Sequence, residues 1–228
     1  MALERLTLDK DGAALFAGAA LSVLGEVEAI VADLPPDRAG VRLHGGPGLE
    51  PLLAKDSVIG AISAAALGAA CVPVRAILFD KSPATNWTLG WHQDRTIAVR
   101  ERREVENFGP WTVKQGMLHV EPPFAIIEAM MTLRIHIDDV PADNAPLLIA
   151  PGSHRLGRIE ESRIDAVNAR HGTRTCLARR GDVWAYATPI LHASAAAHTS
   201  SDTPTRRRVL QVDYAAGALP GGLVWRGL

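Results

Sequence analysis

His92 and Asp94 stand two positions apart in Trp91-His92-Gln93-Asp94. Side chains alternate along an extended segment, so both point to one face and can grip a single metal ion from the same side. A third ligand has to come from elsewhere. His192, in Pro189-Ile190-Leu191-His192-Ala193-Ser194, is the best placed, about a hundred residues on. Two imidazoles and one carboxylate on one face leave coordination positions open. That suits non-haem Fe(II) and oxygen chemistry rather than a closed structural zinc site. Downstream, Arg206-Arg207-Arg208 offers a guanidinium to the far carboxylate of a dicarboxylate co-substrate. An HxD pair alone occurs by chance; the weight lies in the order of His92, Asp94, a later His and then an Arg fifteen residues beyond it.

Such groups need a rigid frame, and the strand pattern supplies one. Val72, Val74, Ala76 and Leu78 alternate with Arg75, Ile77 and Phe79, and Lys81-Ser82-Pro83-Ala84 turns the chain. Met130 to Ile137 alternates cleanly, with Leu133, Ile135 and Ile137 on one face and Thr132, Arg134 and His136 on the other. Leu147 to Ala150 reads as another strand, Val183 to Tyr186 as the strand delivering His192, and Arg207 to Tyr214 as the last. Many short strands with turn signals predict a β-sandwich or jelly-roll barrel. Ahead of it, the apolar spacing predicts one helix over 9–33, capped by Asp9 or Asp11, and a second over roughly 49–69. A short helix is expected over 159–169. Segment 100–125, with Arg100, Arg102, Arg103 and Trp111, reads as irregular and lid-like; Trp111 lies over substrate or is tucked in.

The 228 residues are read as one domain. Residues 1–70 form a helical part packing on the barrel, 71–215 the core, and 216–228 a tail anchored by Trp225. The chain is 47% hydrophobic with a formal charge of −1, which gives no reason to expect nucleic acid or an anionic membrane as partner. Cys71 and Cys176 form no metal-type pair and read as small buried residues. Met1-Ala2-Leu3-Glu4-Arg5 does not open an apolar leader, and no stretch reaches the length of an uncharged spanning helix, so a soluble cytoplasmic protein is expected. His119, His171 and His198 fall in loop-like stretches and read as solvated, His154 as structural, and His136 as a cavity-lining or core histidine.

The segments 86–94, 132–139, 151–155, 181–183, 191–194 and 207–210 together resemble the phytanoyl-CoA dioxygenase family of Fe(II)/2-oxoglutarate-dependent dioxygenases, in the family's order. The resemblance implies a mainly β fold with flanking helices around a double-stranded β-helix, the cupin-like jelly roll. It implies iron held by His92, Asp94 and His192, with O2 and 2-oxoglutarate as co-substrates. It picks Arg207 from the three arginines for the 5-carboxylate, and suggests co-substrate contacts from Ser194, Gln93 and Arg134. Ala145 stands where relatives usually have Gly. Asp94 is intact, which disfavours halogenation. Nothing marks a coenzyme A site, so the expected substrate is a small molecule of open identity, and the oligomeric state is not readable. Two other readings stand beside this one. A non-catalytic ligand-binding or structural barrel would have lost a ligand or the arginine. A cupin-type isomerase would use more histidines and need no such arginine.

Overall fold

The chain turns at Gly12, whose φ of 75° lies in the left-handed region, and this breaks the helix expected over 9–33. Only α1 (Leu8–Asp11) precedes it. Its cap is Thr7, whose hydroxyl accepts from the Lys10 amide while the Asp11 carboxylate accepts from the Thr7 amide, so neither Asp9 nor Asp11 is the N-cap residue. Beyond Gly12, residues Ala13–Phe16 form strand β1, and helix α2 (Leu24–Val31) follows. The four residues of β1 read as helical from their apolar spacing, but their backbone is satisfied by pairing with a strand far away in sequence, which spacing does not report. Strand β2 (Gly40–Leu43) comes next. The expected 49–69 helix is two pieces, α3 (Leu49–Leu53) and α4 (Gly60–Leu67). A Cβ at Gly60 would overlap the Ala54 carbonyl, so the tight link between them requires glycine. The computed structural model describes residues 5–36, 38–82, 85–197 and 206–228. Met1–Glu4, Pro83 and Ala84 of the expected turn, and the loop 198–205 with His198 lie outside the described residues.

The strands then follow in order: β3 (Cys71–Lys81), β4 (Leu89–His92), β5 (Ile97–Val99), β6 (Trp111–Lys114) and β7 (Met117–Val120), with α5 (Phe124–Glu128) before β8 (Met130–His136). After β9 (Leu147–Ile149) come α6 (Ile164–His171), β10 (Arg174–Cys176), β11 (Val183–Ala187), β12 (His192–Ser194) and β13 (Arg207–Ala216). Three sheets result. A six-stranded sheet runs β1-β11-β8-β13-β3-β2, a four-stranded sheet β10-β9-β12-β4, and a three-stranded sheet β5-β7-β6. Every pairing is antiparallel. The architecture is mainly β with a few flanking helices, a cupin-like jelly roll. The N-terminal 70 residues are not purely helical: β1 and β2 form the two edges of the large sheet.

Alternation sorts the large sheet into two faces. Leu133 and Ile135 of β8, Val183 and Ala185 of β11, and Leu210, Val212 and Tyr214 of β13 form one core with Leu24, Val27, Leu49, Leu52 and Leu53 of the helices. Burying each such side chain contributes roughly 1.5–3 kcal/mol, so this helix-covered face is the main source of rigidity. The Tyr214 hydroxyl donates to Leu53 O at 3.0 Å and satisfies its buried oxygen. The opposite face carries Arg75, Ile77, Phe79, Arg134 and Gln211, and looks across a chamber to the four-stranded sheet.

Three further expectations are corrected. Residues 100–125 are not a plain irregular lid, because β6 and β7 form a hairpin with β5 alongside. Trp111 is half-buried in the core beneath that hairpin, with the Arg102 guanidinium 5.5 Å from its ring. Strand β11 does not itself deliver His192; after a turn closed by Ile190 N to Ala187 O at 2.9 Å, the chain changes sheets and His192 opens β12. The helix expected over 159–169 is a short 3₁₀ turn followed by α6. Trp225 bridges to Val99 and packs on the same core as Trp111. Cys71 and Cys176 are buried free thiols, pushed up to about 11 and about 12 by burial. No helix among the described residues is long and apolar enough to cross a membrane.

Candidate metal centre and chamber

His92 ends β4 and His192 opens β12, and the two residues are direct partners in the β4–β12 ladder. Each imidazole is fixed in the same way. His92 Nδ1 lies 2.7 Å from Gly90 O and His192 Nδ1 lies 2.9 Å from Ile190 O. A carbonyl only accepts, so Nδ1 carries the proton and Nε2 keeps a free lone pair. Asp94 follows two residues after His92. One ligand atom from each of His92, Asp94 and His192 lies within 4.8 Å of the other two. Burial, then the neighbouring His92, push His192 down to about 4, so it is neutral and available as a donor near pH 7. Burial alone would raise Asp94; Arg75 first, then the two imidazoles, hold it below the usual carboxylate range. Arg75 Nη2 stands 3.9 Å from Asp94 while its Nε donates to Asp213. Thr132 Oγ1 donates to the other Asp213 oxygen at 3.1 Å. Asp94 is thus ionised and braced from behind.

The triad opens on a chamber of about 150 Å³ between the two sheets. Arg134, Gln211, Phe79 and Leu147 line its depth. Arg134 Nη1 donates to Gln211 Oε1 at 3.2 Å and its guanidinium lies 5.5 Å from the Phe79 ring, while its Nε has no partner. Arg207 pairs in register with Lys81 and shares the inward face of β13 with Val209 and Gln211. It is only 1% exposed, so alternation did place it inside, but it sits beyond the chamber wall. Its Nη1 donates to Ala145 O at 2.7 Å and its Nε has no partner. Ser194, on the wall, also donates to Ala145 O, at 3.2 Å, and Lys81 Nζ donates to Ser194 Oγ at 3.2 Å. Arg206 and Arg208 face the other way and pair with Asp80 and Asp138.

This deep end is strongly cationic. Among the described residues no carboxylate forms an ion pair with Lys81, Arg134 or Arg207. Burial and the neighbouring Arg207 and Arg134 push Lys81 down to about 7; burial and Arg134 push Arg207 down to about 9. His136, on the same inward face, has no partner at either ring nitrogen.

Gln93 is a correction. With His92 and Asp94 turned inward, the residue between them faces out. Its amide donates to Pro189 O at 2.7 Å and Gly157 O at 3.0 Å and accepts from Ile159 N at 2.8 Å, so it clamps loops away from the chamber. His119 is likewise not solvated. It is buried on β7, with Nδ1 3.0 Å from Met117 O. His171 is half-buried against Pro151 O, and the His154 ring packs beneath Gly12, whose missing Cβ makes room for it. Sequence reasoning did not single out Arg75, Lys81, Gln211 and Asp213. Their signal was present, since Arg75 and Lys81 fall in step with Ile77 and Phe79, and Gln211 and Asp213 with Arg207.

The family model described as phytanoyl-CoA dioxygenase (PhyH) matches residues 48–208, which hold every residue of the triad and Arg207. The chain belongs to the phytanoyl-CoA dioxygenase family. Solved structures share the fold. EctD from S. alaskensis, solved with 2-oxoglutarate and 5-hydroxyectoine, superposes with a TM-score of 0.63 at 17% identity, covering 92% of this chain and 73% of that one. HygX from Streptomyces hygroscopicus, solved with nickel and 2-oxoglutarate, gives 0.58 at 15% identity, covering 93% and 88%. AviO1 from Streptomyces viridochromogenes Tue57 gives 0.58 at 20% identity, covering 93% of both chains. No curated protein sequence matches the chain. Phytanoyl-CoA names the family, and no phytanoyl-CoA site is marked on this member.

Proposed function

We propose that the chain is an Fe(II)/2-oxoglutarate-dependent dioxygenase that hydroxylates a small molecule. The observation that carries this reading is the closeness of two features: an open two-His, one-carboxylate triad on a chamber lined by Arg134, and, beyond the chamber wall at Ser194, the buried Lys81 and Arg207, none of these three cations in an ion pair with an acid among the described residues. Buried basic groups gathered without an ion-paired acid are costly to charge unless an anion joins them. A dicarboxylate co-substrate that also reaches the metal answers both requirements. The donor set fits iron. Nitrogen and oxygen ligands on one face suit non-haem Fe(II), and the two Nδ1–H contacts to backbone carbonyls fix the rings as ligand-supporting hydrogen bonds do. Family membership and relatives solved with iron, nickel or 2-oxoglutarate support the same reading.

Bound together, iron, 2-oxoglutarate and O2 would supply the oxidising power to replace a C–H bond by C–OH, with release of succinate and CO2. The chain's own residues do the rest. His92, Asp94 and His192 would hold the metal on one face. Arg207, joined to Ser194 through Ala145 O and close to Lys81, would take the far carboxylate, and Arg134 would neutralise charge nearer the metal. Arg75 keeps Asp94 ionised and placed. Ile77, Phe79 and Leu147 exclude water from the chamber.

The test is succinate formation from 2-oxoglutarate by purified protein with Fe(II), ascorbate and O2. We expect slow turnover without a prime substrate, lost in His92→Ala and in Arg207→Ala. If there were no turnover and no stabilisation by metal plus 2-oxoglutarate, the dioxygenase reading would be wrong.

A further inference from the structure

The chamber is small, and its two ends differ. The deep end holds Arg134 and leads to Lys81 and Arg207; the rim holds a second, separate pair of cations, Arg42 and Lys114. Arg42 lies on edge strand β2, in register with Ile77, which puts it on the chamber side. Lys114 ends β6 at the turn of the β6–β7 hairpin. The next residue, Gln115, ties the two together. Its Nε2 donates to Gly40 O at 2.6 Å and its Oε1 accepts from the Arg42 amide at 3.2 Å. One side chain thereby imitates a strand neighbour, and it fixes the hairpin against the edge of the large sheet. Gln115 adopts a left-handed φ of 50° at this point, an uncommon conformation for a residue with a Cβ. The result is that Arg42 and Lys114 are held at one side of the same opening.

Neither cation has an acidic partner among the described residues. The Arg42 Nε is buried and unbonded, and Lys114 Nζ reaches only a hydroxyl, Thr96 Oγ1, at 3.4 Å. The acids within reach are already engaged, since Arg75 takes Asp213 and braces Asp94. Arginines on the outer surface behave differently. Arg102, Arg103, Arg158 and Arg180 each pair with a glutamate. Both rim cations are disfavoured where they stand, Arg42 by burial and then Arg75, Lys114 by burial and then Arg75 and Arg42, with Asp94 offsetting part of that for Lys114. A site that gathers four cations, Arg42, Arg75, Lys114 and Arg134, against one lining carboxylate, Asp94, is arranged for an external anion.

On the dioxygenase reading, the co-substrate's carboxylates go to the metal and the deep cations and leave the rim pair unmet, and a 150 Å³ chamber has room for about one small organic molecule. The molecule to be oxidised must then approach from the rim. We propose that this prime substrate carries a compact oxyanion, a carboxylate or a phosphate monoester, which Arg42 and Lys114 hold at the chamber rim while the rest of the molecule extends toward the triad. The guanidinium supplies a planar two-pronged donor and the ammonium a point charge beside it. This inference rests on the dioxygenase reading for the role of the bound molecule, but the anion site itself does not depend on metal.

The test is calorimetric binding of phenylacetate and of phenyl phosphate to the full chain, at constant ionic strength against potassium chloride. It is done once with Ni(II) and 2-oxoglutarate loaded and once without. At least one probe is expected to bind saturably, and which one does separates carboxylate from phosphate. Arg42→Gln and Lys114→Gln should each weaken it about tenfold, Arg42→Lys should recover part of the loss, and the binding of 2-oxoglutarate and the unfolding temperature should stay unchanged. The proposal is overturned if neither probe binds beyond chloride or if binding is equal in the variants, which would send the substrate to another surface, such as the cleft outside His92. It is overturned too if the variants lose 2-oxoglutarate, since the rim cations would then serve the co-substrate. If the loaded protein cannot be formed, the dioxygenase reading fails, and the unloaded protein still decides whether the rim binds an oxyanion.

Discussion

His92 and His192 face each other across the β4–β12 ladder, with ring centroids 4.2 Å apart and planes at 53°. Each ring is locked through Nδ1 by the carbonyl two residues before it, so both present Nε2 to the same space. This places two ligands by backbone pairing alone. Replacing either imidazole leaves that ladder intact, so His92→Ala and His192→Ala should stay folded and lose stoichiometric Co(II) or Fe(II) binding. The check is metal content after dialysis, with thermal unfolding alongside. A variant that unfolds, or one that retains full metal, would contradict this assignment.

Arg207 is buried with its Nε unbonded, while Nη1 holds Ala145 O. A charged hydrogen bond lost from such a site costs about 1.5–3 kcal/mol, so Arg207→Gln should weaken 2-oxoglutarate binding roughly 10- to 100-fold. Arg207→Lys should fall in between, because an ammonium keeps the charge and loses the fork. Titration of the Fe(II) protein with 2-oxoglutarate under nitrogen, followed by visible absorption, measures both.

Arg75 joins two carboxylates, the buried Asp213 directly and the half-buried Asp94 at 3.9 Å. Arg75→Met leaves Asp213 without its cation, and burial already pushes that carboxyl up. The expected loss is about 3–5 kcal/mol in urea unfolding. Adding Asp213→Leu should recover much of that stability without restoring metal affinity, since Asp94 would still lack its brace.

Ala145 adopts φ 50° and its carbonyl accepts from both Arg207 and Ser194. The turn therefore keeps the left-handed conformation that glycine would adopt freely, with alanine strained in its place. Ala145→Gly should raise stability by about 0.5–1 kcal/mol, after allowing for the greater entropy of an unfolded glycine. Equal or lower stability by chemical denaturation would mean that the strain is relieved elsewhere.

The strands and the His92–Asp94 pair were legible because both rest on local periodicity, whereas His192 entered through its order in the chain and the family resemblance. His92-Gln93-Asp94 needs only alternation to put two ligands on one face, and Met130–Ile137 shows its two faces in the sequence. What was illegible depends on distant partners. The apolar run Ala13–Phe16 is a strand because Trp184 and its neighbours lie beside it, and nothing near residue 13 says so. The family resemblance suggests Gln93 as a co-substrate contact, yet the alternation that turns His92 and Asp94 to the chamber turns Gln93 to the other side, against Pro189 and Ile159. The rim pair was invisible for the same reason, since Arg42 and Lys114 are 72 positions apart and meet only through Gln115.

His119 sets an acid limit on the fold. It is buried on β7, its Nδ1–H is used on Met117 O, and Nε2 has no partner, so burial pushes it down to about 4. In the unfolded chain the same group titrates near its ordinary value of about 6.5. The unfolded state therefore binds the extra proton first. The contribution of neutral His119 is complete above about pH 6.5 and is lost as pH falls toward 4, by an amount on the order of 3 kcal/mol. His136, also buried and without ring partners, is lowered well below its ordinary value by burial, then by Arg134 and Arg207, and it acts in the same direction. His119→Leu should accordingly flatten the stability profile between pH 6.5 and 4 and leave stability at pH 8 little changed. Urea unfolding at half-unit pH steps gives the slope. An unaltered slope in His119→Leu would show that other groups govern acid unfolding.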